Sequence, residues 1–255
     1  MKILLSNDDG INAAGIQALR EAMETVGEVV IVAPDRPKSA SGHGITVHKP
    51  LRVDEIRYSN SSTKGYAVNG TPSDCVKLAL EGLLTKRPDI VVSGINFGPN
   101  LGTDVLYSGT VSAALEGVIH GIPSIAVSLA SYEKEDYTLA ARAAIQVVKA
   151  VVEKGLPDET LLNINVPAVP EKEIKGITVT KLGKRIYKNT FEKRKDPRGR
   201  DYYWMAGEAV DLAGDPDTDI NAVKRNEISV TPIVFDITNY QLIKKLQEWN
   251  LSLEG

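Results

Sequence analysis

Two acids follow the first apolar run directly: Ile3-Leu4-Leu5 leads into Asn7-Asp8-Asp9-Gly10. Adjacent carboxylates repel each other unless positive charge lies between them. Neighbouring side chains of a straight strand point to opposite faces. Asp8 and Asp9 therefore share a site only where the chain has begun to turn, which Gly10 allows. Their oxygens are hard ligands. With Asn96 and a serine hydroxyl nearby they describe a site for Mg²⁺ or Mn²⁺ rather than zinc or copper. The plainer alternative is that the acids cap the following helix, whose positive N-terminus favours them. One acid would suffice for that, and Asn12 is better placed to cap.

Two further loops carry small polar residues. Asp35 to Gly44 (DRPKSASGHG) follows a second apolar run and contains Lys38, Ser39, Ser41, Gly42 and His43. Gly94 to Gly102 (GINFGPNLG) follows a third and contains Asn96. Its glycines fit neither the dinucleotide fingerprint nor the Walker A loop. Just beyond it, Ser108-Gly109-Thr110 opens a helix whose free N–H groups favour phosphate, although this stretch also reads as a simple cap. Lys38 and His43 can bring positive charge to a phosphate or serve as ordinary surface residues. His48, in a β-like run, and His120, at a helix end, read as structural. Taken together, the loops offer a cation next to a phosphate.

The elements that must position these residues alternate. Strands are expected at Lys2–Ser6, Glu28–Ala33, Asp89–Ser93, Ser124–Ser128 and Leu161–Val166. Helices are expected at Ala13–Thr25, from the Thr71 cap to about Leu84, at Ser108–His120 and at Tyr137–Lys154. This rhythm predicts an α/β fold: a Rossmann-like, mostly parallel sheet covered by helices on both faces. Ligands of such a sheet bind beyond the carboxyl ends of its strands, the edge on which all three loops fall.

The pattern changes after that, with strands expected at 177–182 and 227–234. Residues 183–226 read as a β-rich C-terminal arm leaving a single-domain core of about 1–182 and 227–255. Thr238-Asn239-Tyr240-Gln241 reads as a capping box opening a last helix with Leu242, Leu246 and Trp249.

Composition narrows the function classes. The 255 residues carry a net charge of -3, so the whole-molecule balance points to neither a polyanion nor a membrane surface. Cys75 is the single cysteine, which excludes an internal disulfide framework and argues against a thiolate zinc site. No apolar run is long enough to span a bilayer, and the N-terminus does not read as a signal peptide. A cytoplasmic protein is the expectation. The basic run Lys181–Arg200 adjoins an acidic stretch that can pair with it, within the chain or across a dimer, and nucleic-acid binding is not expected. Tyr202, Tyr203 and Trp204 suit interface packing better than base stacking.

Five segments, NDDG, VIVAPDRPKSASGHGIT, VNGTPSDCVKLAL, PDIVVSGINFGPNLG and YSGTVSAALEG, together with NINVP at 163–167, resemble the SurE family of metal-dependent nucleotidases, also called survival proteins. The resemblance runs in order from Met1 to about Val166 and is less sharp over 183–226. It implies hydrolysis of nucleoside 5′- and 3′-monophosphates, with polyphosphate activity in some members. It implies one divalent cation, Mg²⁺ or Mn²⁺, on Asp8, Asp9, Ser39 and Asn96. It also implies a homodimer or homotetramer exchanging the C-terminal arm.

On the expected mechanism, Asp8 or Asp9 positions a water or accepts its proton. Asn7, Ser41, Gly42, His43, Asn96, Ser108, Gly109 and Thr110 contact the substrate. Covalent attack by Asp8 stays open as the second route, although the DxD spacing of haloacid-dehalogenase phosphatases is missing. A non-catalytic nucleotide- or phosphate-binding regulator is the competing reading. It needs the glycine loops but gives no reason for paired acids beside an anion.

Overall fold

The computed structural model describes residues 1–212 and 214–252. Its strands in chain order are β1 (Lys2–Ser6), β2 (Glu28–Pro34), β3 (Val53–Arg57), β4 (Lys64–Val68), β5 (Ile90–Phe97), β6 (Ser124–Ala130), β7 (Thr160–Pro167), β8 (Ile177–Val179), β9 (Arg185–Lys188), β10 (Phe191–Lys195), β11 (Asp201–Met205), β12 (Glu208–Asp211) and β13 (Ile228–Val234). The helices are α1 (Ala14–Glu24), α2 (Pro72–Leu78), α3 (Gly109–Ile119), α4 (Thr138–Lys154), α5 (Asp219–Lys224) and α6 (Tyr240–Gln247).

One nine-stranded sheet takes the order β3-β4-β2-β1-β5-β6-β7-β13-β8. The run from β4 to β7 is parallel. β3 and β13 pair antiparallel to their neighbours β4 and β7. Apolar residues alternate between the two faces with the period of a strand. Ile3, Leu5, Val29 and Ile31 pack with Ile16, Leu19 and Met23 of α1 and Ala140, Ala144 and Val148 of α4. Leu4, Val30 and Val32 pack with Cys75 and Val76 of α2 and Ala113 of α3. Both faces are covered, which is why these strands read as unbroken apolar runs.

Most boundaries fall within two residues of expectation, with five differences. β8 ends at Val179 rather than 182, because the chain leaves β13 and Lys181 bridges to Thr218 instead. β5 runs on from the expected Ser93 to Phe97 and so carries Asn96 at its end. The helix after Thr71 keeps its capping box with Asp74 but gives way to a π-turn over Ala79–Leu83. β3 and β4 were not expected, and His48 lies in an exposed loop rather than a β-like run. The last helix is capped by the Asn239 side chain, which accepts from the Leu242 amide, not by Thr238.

The arm consists of two antiparallel pairs, β9–β12 and β10–β11. Its basic and acidic residues do meet: Lys193 with Asp201, Arg185 with Asp211, and Lys181 with Asp215. This internal pairing explains how a strongly basic run coexists with a near-neutral chain. The chain returns to the core before residue 226, because Asp219, Ile220 and Ala222 of α5 are buried. Asp219 accepts the amides of Gly102, Gly183 and Ile220, each at 2.8 Å. Asp219→Ala would leave buried N–H groups unpaired. A loss of about 2 kcal/mol, or about 5 °C in Tm, is expected in thermal denaturation.

No helix among the described residues is long and apolar enough to cross a membrane.

Candidate functional site

The chain turns out of β1 at Asn7. The Asn7 amide nitrogen donates to the Gly10 carbonyl at 2.9 Å, and Gly10 takes φ 98°. A side chain on Gly10 would sit 3.2 Å from the backbone of Arg36, so the turn also needs the small residue. Neither acid caps α1, nor does Asn12: the N-cap is Ala13, with no side-chain hydrogen bond. The capping alternative is therefore replaced by two specific tethers. Asp8 Oδ1 accepts the Thr110 hydroxyl from the start of α3. Asp9 Oδ2 accepts the Phe97 amide at the end of β5, at 3.0 Å.

Asp8 is 4% exposed. Burial pushes its carboxyl up to about 6, the charge of Asp9 adds to this, and the Thr110 hydroxyl opposes it. Burial raises Asp9 as well, against the pull of the Phe97 amide. Both acids sit where ionisation is disfavoured unless a cation compensates.

Helix α3 begins against Asp8. A side-chain carbon on Gly109 would lie 2.7 Å from Asp8 Cβ, 3.0 Å from Asp8 Oδ2 and 3.0 Å from Ser41 Oγ. The absence of that carbon lets the helix start, Asp8 and Ser41 converge. The Ser108 hydroxyl accepts the Val111 amide at 3.1 Å. The expected cap is thus present, and it coexists with the helix-start dipole facing the acids.

The loop after β2 closes the other side. The Lys38 amide donates to the Asp8 carbonyl at 2.7 Å, and the Gly42 amide to the Tyr107 carbonyl at 3.1 Å. Ser39 lies in the exposed turn of this loop, and Ser41 is half-buried below it. His43 is directed to α3, with Nε2 2.6 Å from Glu116 Oε2. Asn96 donates its amide nitrogen to the Gly98 carbonyl at 2.8 Å, which leaves Oδ1 as a free acceptor. Two buried oxygens here, Asn7 Oδ1 and Ser41 Oγ, have no hydrogen-bond partner.

Sequence reasoning missed the groups behind this surface. Asn165 Oδ1 accepts the Asn100 amide at 2.8 Å, and the side-chain nitrogens of Asn163 and Asn165 donate to the Asn100 carbonyl at 2.9 and 3.0 Å. The Asn100 side chain in turn donates to Ser128 Oγ at 2.8 Å. These amides fix the Gly98–Gly102 loop. The available signal was Asn at every second position of LLNINV, polar residues on one face of a core strand. Glu116 was missed too, although it is an isolated charge in the small-residue helix GTVSAALEGVI.

Among the described residues no group of three or more His, Cys, Asp or Glu side chains is placed to hold a metal. A cation at this site would rest on two carboxylates completed by neutral oxygens. That donor set is present: Asp8, Asp9, Asn96 Oδ1 and serine hydroxyls, with partnerless oxygens beside them. It fits a hard divalent ion.

The family model described as survival protein SurE matches residues 3–189. A 5′-nucleotidase SurE of Carboxydothermus hydrogenoformans is 58% identical, over 100% of this chain and 98% of its own. One of Pelotomaculum thermopropionicum is 59% identical, over 97% and 95%. A crystal structure of the SurE protein from Aquifex aeolicus superposes with a TM-score of 0.85 at 44% identity, covering 98% of this chain and 100% of that one.

Proposed function

The chain belongs to the SurE family, and from that premise we propose that it is a phosphomonoesterase hydrolysing nucleoside 5′-monophosphates to nucleoside and phosphate. The observation that supports this most is the pairing of two acids, one almost wholly buried, against the start of a helix. A non-catalytic phosphate sensor has no use for them, since their charge repels the ligand.

Asp8, Asp9, Asn96 and Ser39 would hold one Mg²⁺ or Mn²⁺ ion. When bound, such an ion offsets charge on the phosphate and makes a water molecule more acidic. The protein's own groups do the rest. Thr110 fixes the rotamer of Asp8, and Phe97 that of Asp9. The carboxylates hold the attacking water and take its proton. The unpaired Ser41 hydroxyl and the backbone N–H of Gly109 would meet the phosphoryl oxygens, while the Thr110 N–H supports Asp8. Asn7 contributes its free Oδ1, Gly42 lets the loop pass close to Tyr107, and Ser108 keeps the helix start in shape. Assembly into a homodimer or homotetramer is part of the same reading. Exposed Phe191, Tyr203, Trp204 and Met205 on the β10–β11 hairpin support the arm as the contact.

Turnover of p-nitrophenyl phosphate and of a nucleoside 5′-monophosphate panel, with EDTA and then with Mn²⁺ or Mg²⁺, tests the proposal. Activity should vanish in EDTA and return with the ion. Turnover indifferent to chelation would exclude the cation, and no turnover with either ion would exclude the enzyme.

A further inference from the structure

Of the buried acids that the mechanism leaves unused, Glu116 is the one tied to a loop of the site. Glu116 lies on α3, six residues beyond Thr110 and about 9 Å further along the axis, with its side chain 5% exposed. Oε2 is 2.6 Å from His43 Nε2, while Oε1 faces Lys77 Nζ at 3.6 Å and His120 Nδ1 at 3.5 Å. A carboxylate only accepts, so the imidazole presents Nε2–H to it.

His43 belongs to the loop that carries Ser39 and Ser41. That loop does not hold its own shape: Ala40 adopts φ 55° and Gly42 φ 52°, and the first is disfavoured for a residue with a side chain. It must be held from outside. Its backbone is tied to Asp8 through Lys38 and to Tyr107 through Gly42. Beyond the site, the Thr71 hydroxyl donates to the Gly44 carbonyl at 2.6 Å, and the Thr46 amide to Asp74 Oδ1 at 2.9 Å. The His43–Glu116 bond is the side-chain link from the loop to α3, the helix whose first residues lie against Asp8 and Ser41.

We propose that Glu116 is a positioning residue: through His43 it fixes the Ser39–Gly44 loop to α3, so that loop and helix start present their oxygens and N–H groups to phosphate and cation as one rigid piece. This rests on the phosphatase reading of the same site. It assigns His43 an indirect role, through Glu116, rather than direct contact with phosphate.

The test is a double-mutant cycle in the full chain: Glu116→Ala, His43→Ala and both together, with Glu116→Gln as the conservative variant. Three quantities are measured: amide hydrogen exchange at Gly42 and Thr46, calorimetric binding of Mn²⁺ alone, and kcat and KM for a nucleoside 5′-monophosphate. Each single alanine variant should speed loop exchange, weaken Mn²⁺ binding and raise KM by about tenfold, and the double variant should add nothing further. Exchange in β5 and β7 should stay as in the parent. Glu116→Gln, whose amide oxygen still accepts from His43, should recover most of the loss.

Unchanged loop exchange in a folded Glu116→Ala protein would overturn the proposal. So would effects that simply add in the double variant, which is the outcome if His43 touches phosphate directly. Should Glu116→Ala fail to fold, His43→Ala decides, because it removes the same bond from the loop side. An unaltered parent chain without cation-dependent turnover would refute the phosphatase reading, while the exchange data would still decide the tether.

Discussion

Asp8→Asn should abolish turnover, with kcat falling about 10³-fold or more, while the folded protein becomes more heat-stable when metal-free. The two halves have one cause. The amide keeps the size of the carboxyl, and its oxygen can still accept the Thr110 hydroxyl. What disappears is a charge that burial and Asp9 both disfavour. That charge is what a divalent ion needs and what a proton-accepting group must carry. Kinetics and thermal melting on the same preparation check both halves. An Asp8→Asn protein still active in EDTA-treated buffer would remove the cation and Asp8 from the mechanism together. A rapid-quench single turnover addresses the chemistry itself: hydroxylamine traps an aspartyl-phosphate if Asp8 attacks phosphorus, and none is trapped if water attacks directly.

The second large effect is a pH-dependent stability gap between the parent chain and Asp8→Asn. In the unfolded chain Asp8 titrates near its ordinary 3.8, and in the folded chain at about 6. Between those values the folded state binds more protons, so stability falls as pH rises. The contribution is fully present below about pH 4 and is lost as pH rises through about 6, on the order of 3 kcal/mol in all. Asp9 is shifted in the same direction. Other acids, such as Glu24 with its hydroxyl and Arg20 partners and Asp211 beside Arg185, are lowered and act oppositely. The difference between the two proteins isolates Asp8. Without metal, Asp8→Asn should gain on the parent with rising pH. Mn²⁺ at about a hundred times its Kd should return about 2.7 kcal/mol to the parent and little to the variant. Calorimetric melts in EDTA and in Mn²⁺ measure both, and a gap independent of pH would contradict the buried-charge account.

The sheet was legible because β1, β2, β5, β6 and β7 are largely apolar, buried runs separated by well-punctuated helices. β3 and β4 escaped for the opposite reason. VDEIR is the exposed edge strand and loses the apolar signal, and KGYAV beside it carries only a short apolar stretch, Tyr66 to Val68, after Lys64 and Gly65. At the site, the acids and glycine loops announced themselves by type and by place after a strand. The groups supporting them did not. Glu116 and the Asn100–Asn163–Asn165 amides act through contacts between segments 63 to 73 residues apart. Local pattern carries no information about which distant loop a lone polar residue will meet. Asn239 rather than Thr238 capping the last helix shows the finer limit, since adjacent capping residues compete and tertiary context chooses.

The carboxylate of Asp219 joins Gly183, where the arm leaves, to the point where it returns, and gathers Gly102 into the same junction. Arg185 adds a second clasp just outside, to Asp104 at 2.8 Å and Asp211 at 2.7 Å. The arm is therefore a closed ring hung from a fixed knot. Lengthening such a ring costs little, because closure entropy grows only logarithmically with the number of residues. Hairpins of different length and surface could be exchanged beyond the clasp while Gly102, and the helix start that follows it, stay in register. The knot gives the protein a place where its outline can diversify under selection without its chemistry drifting.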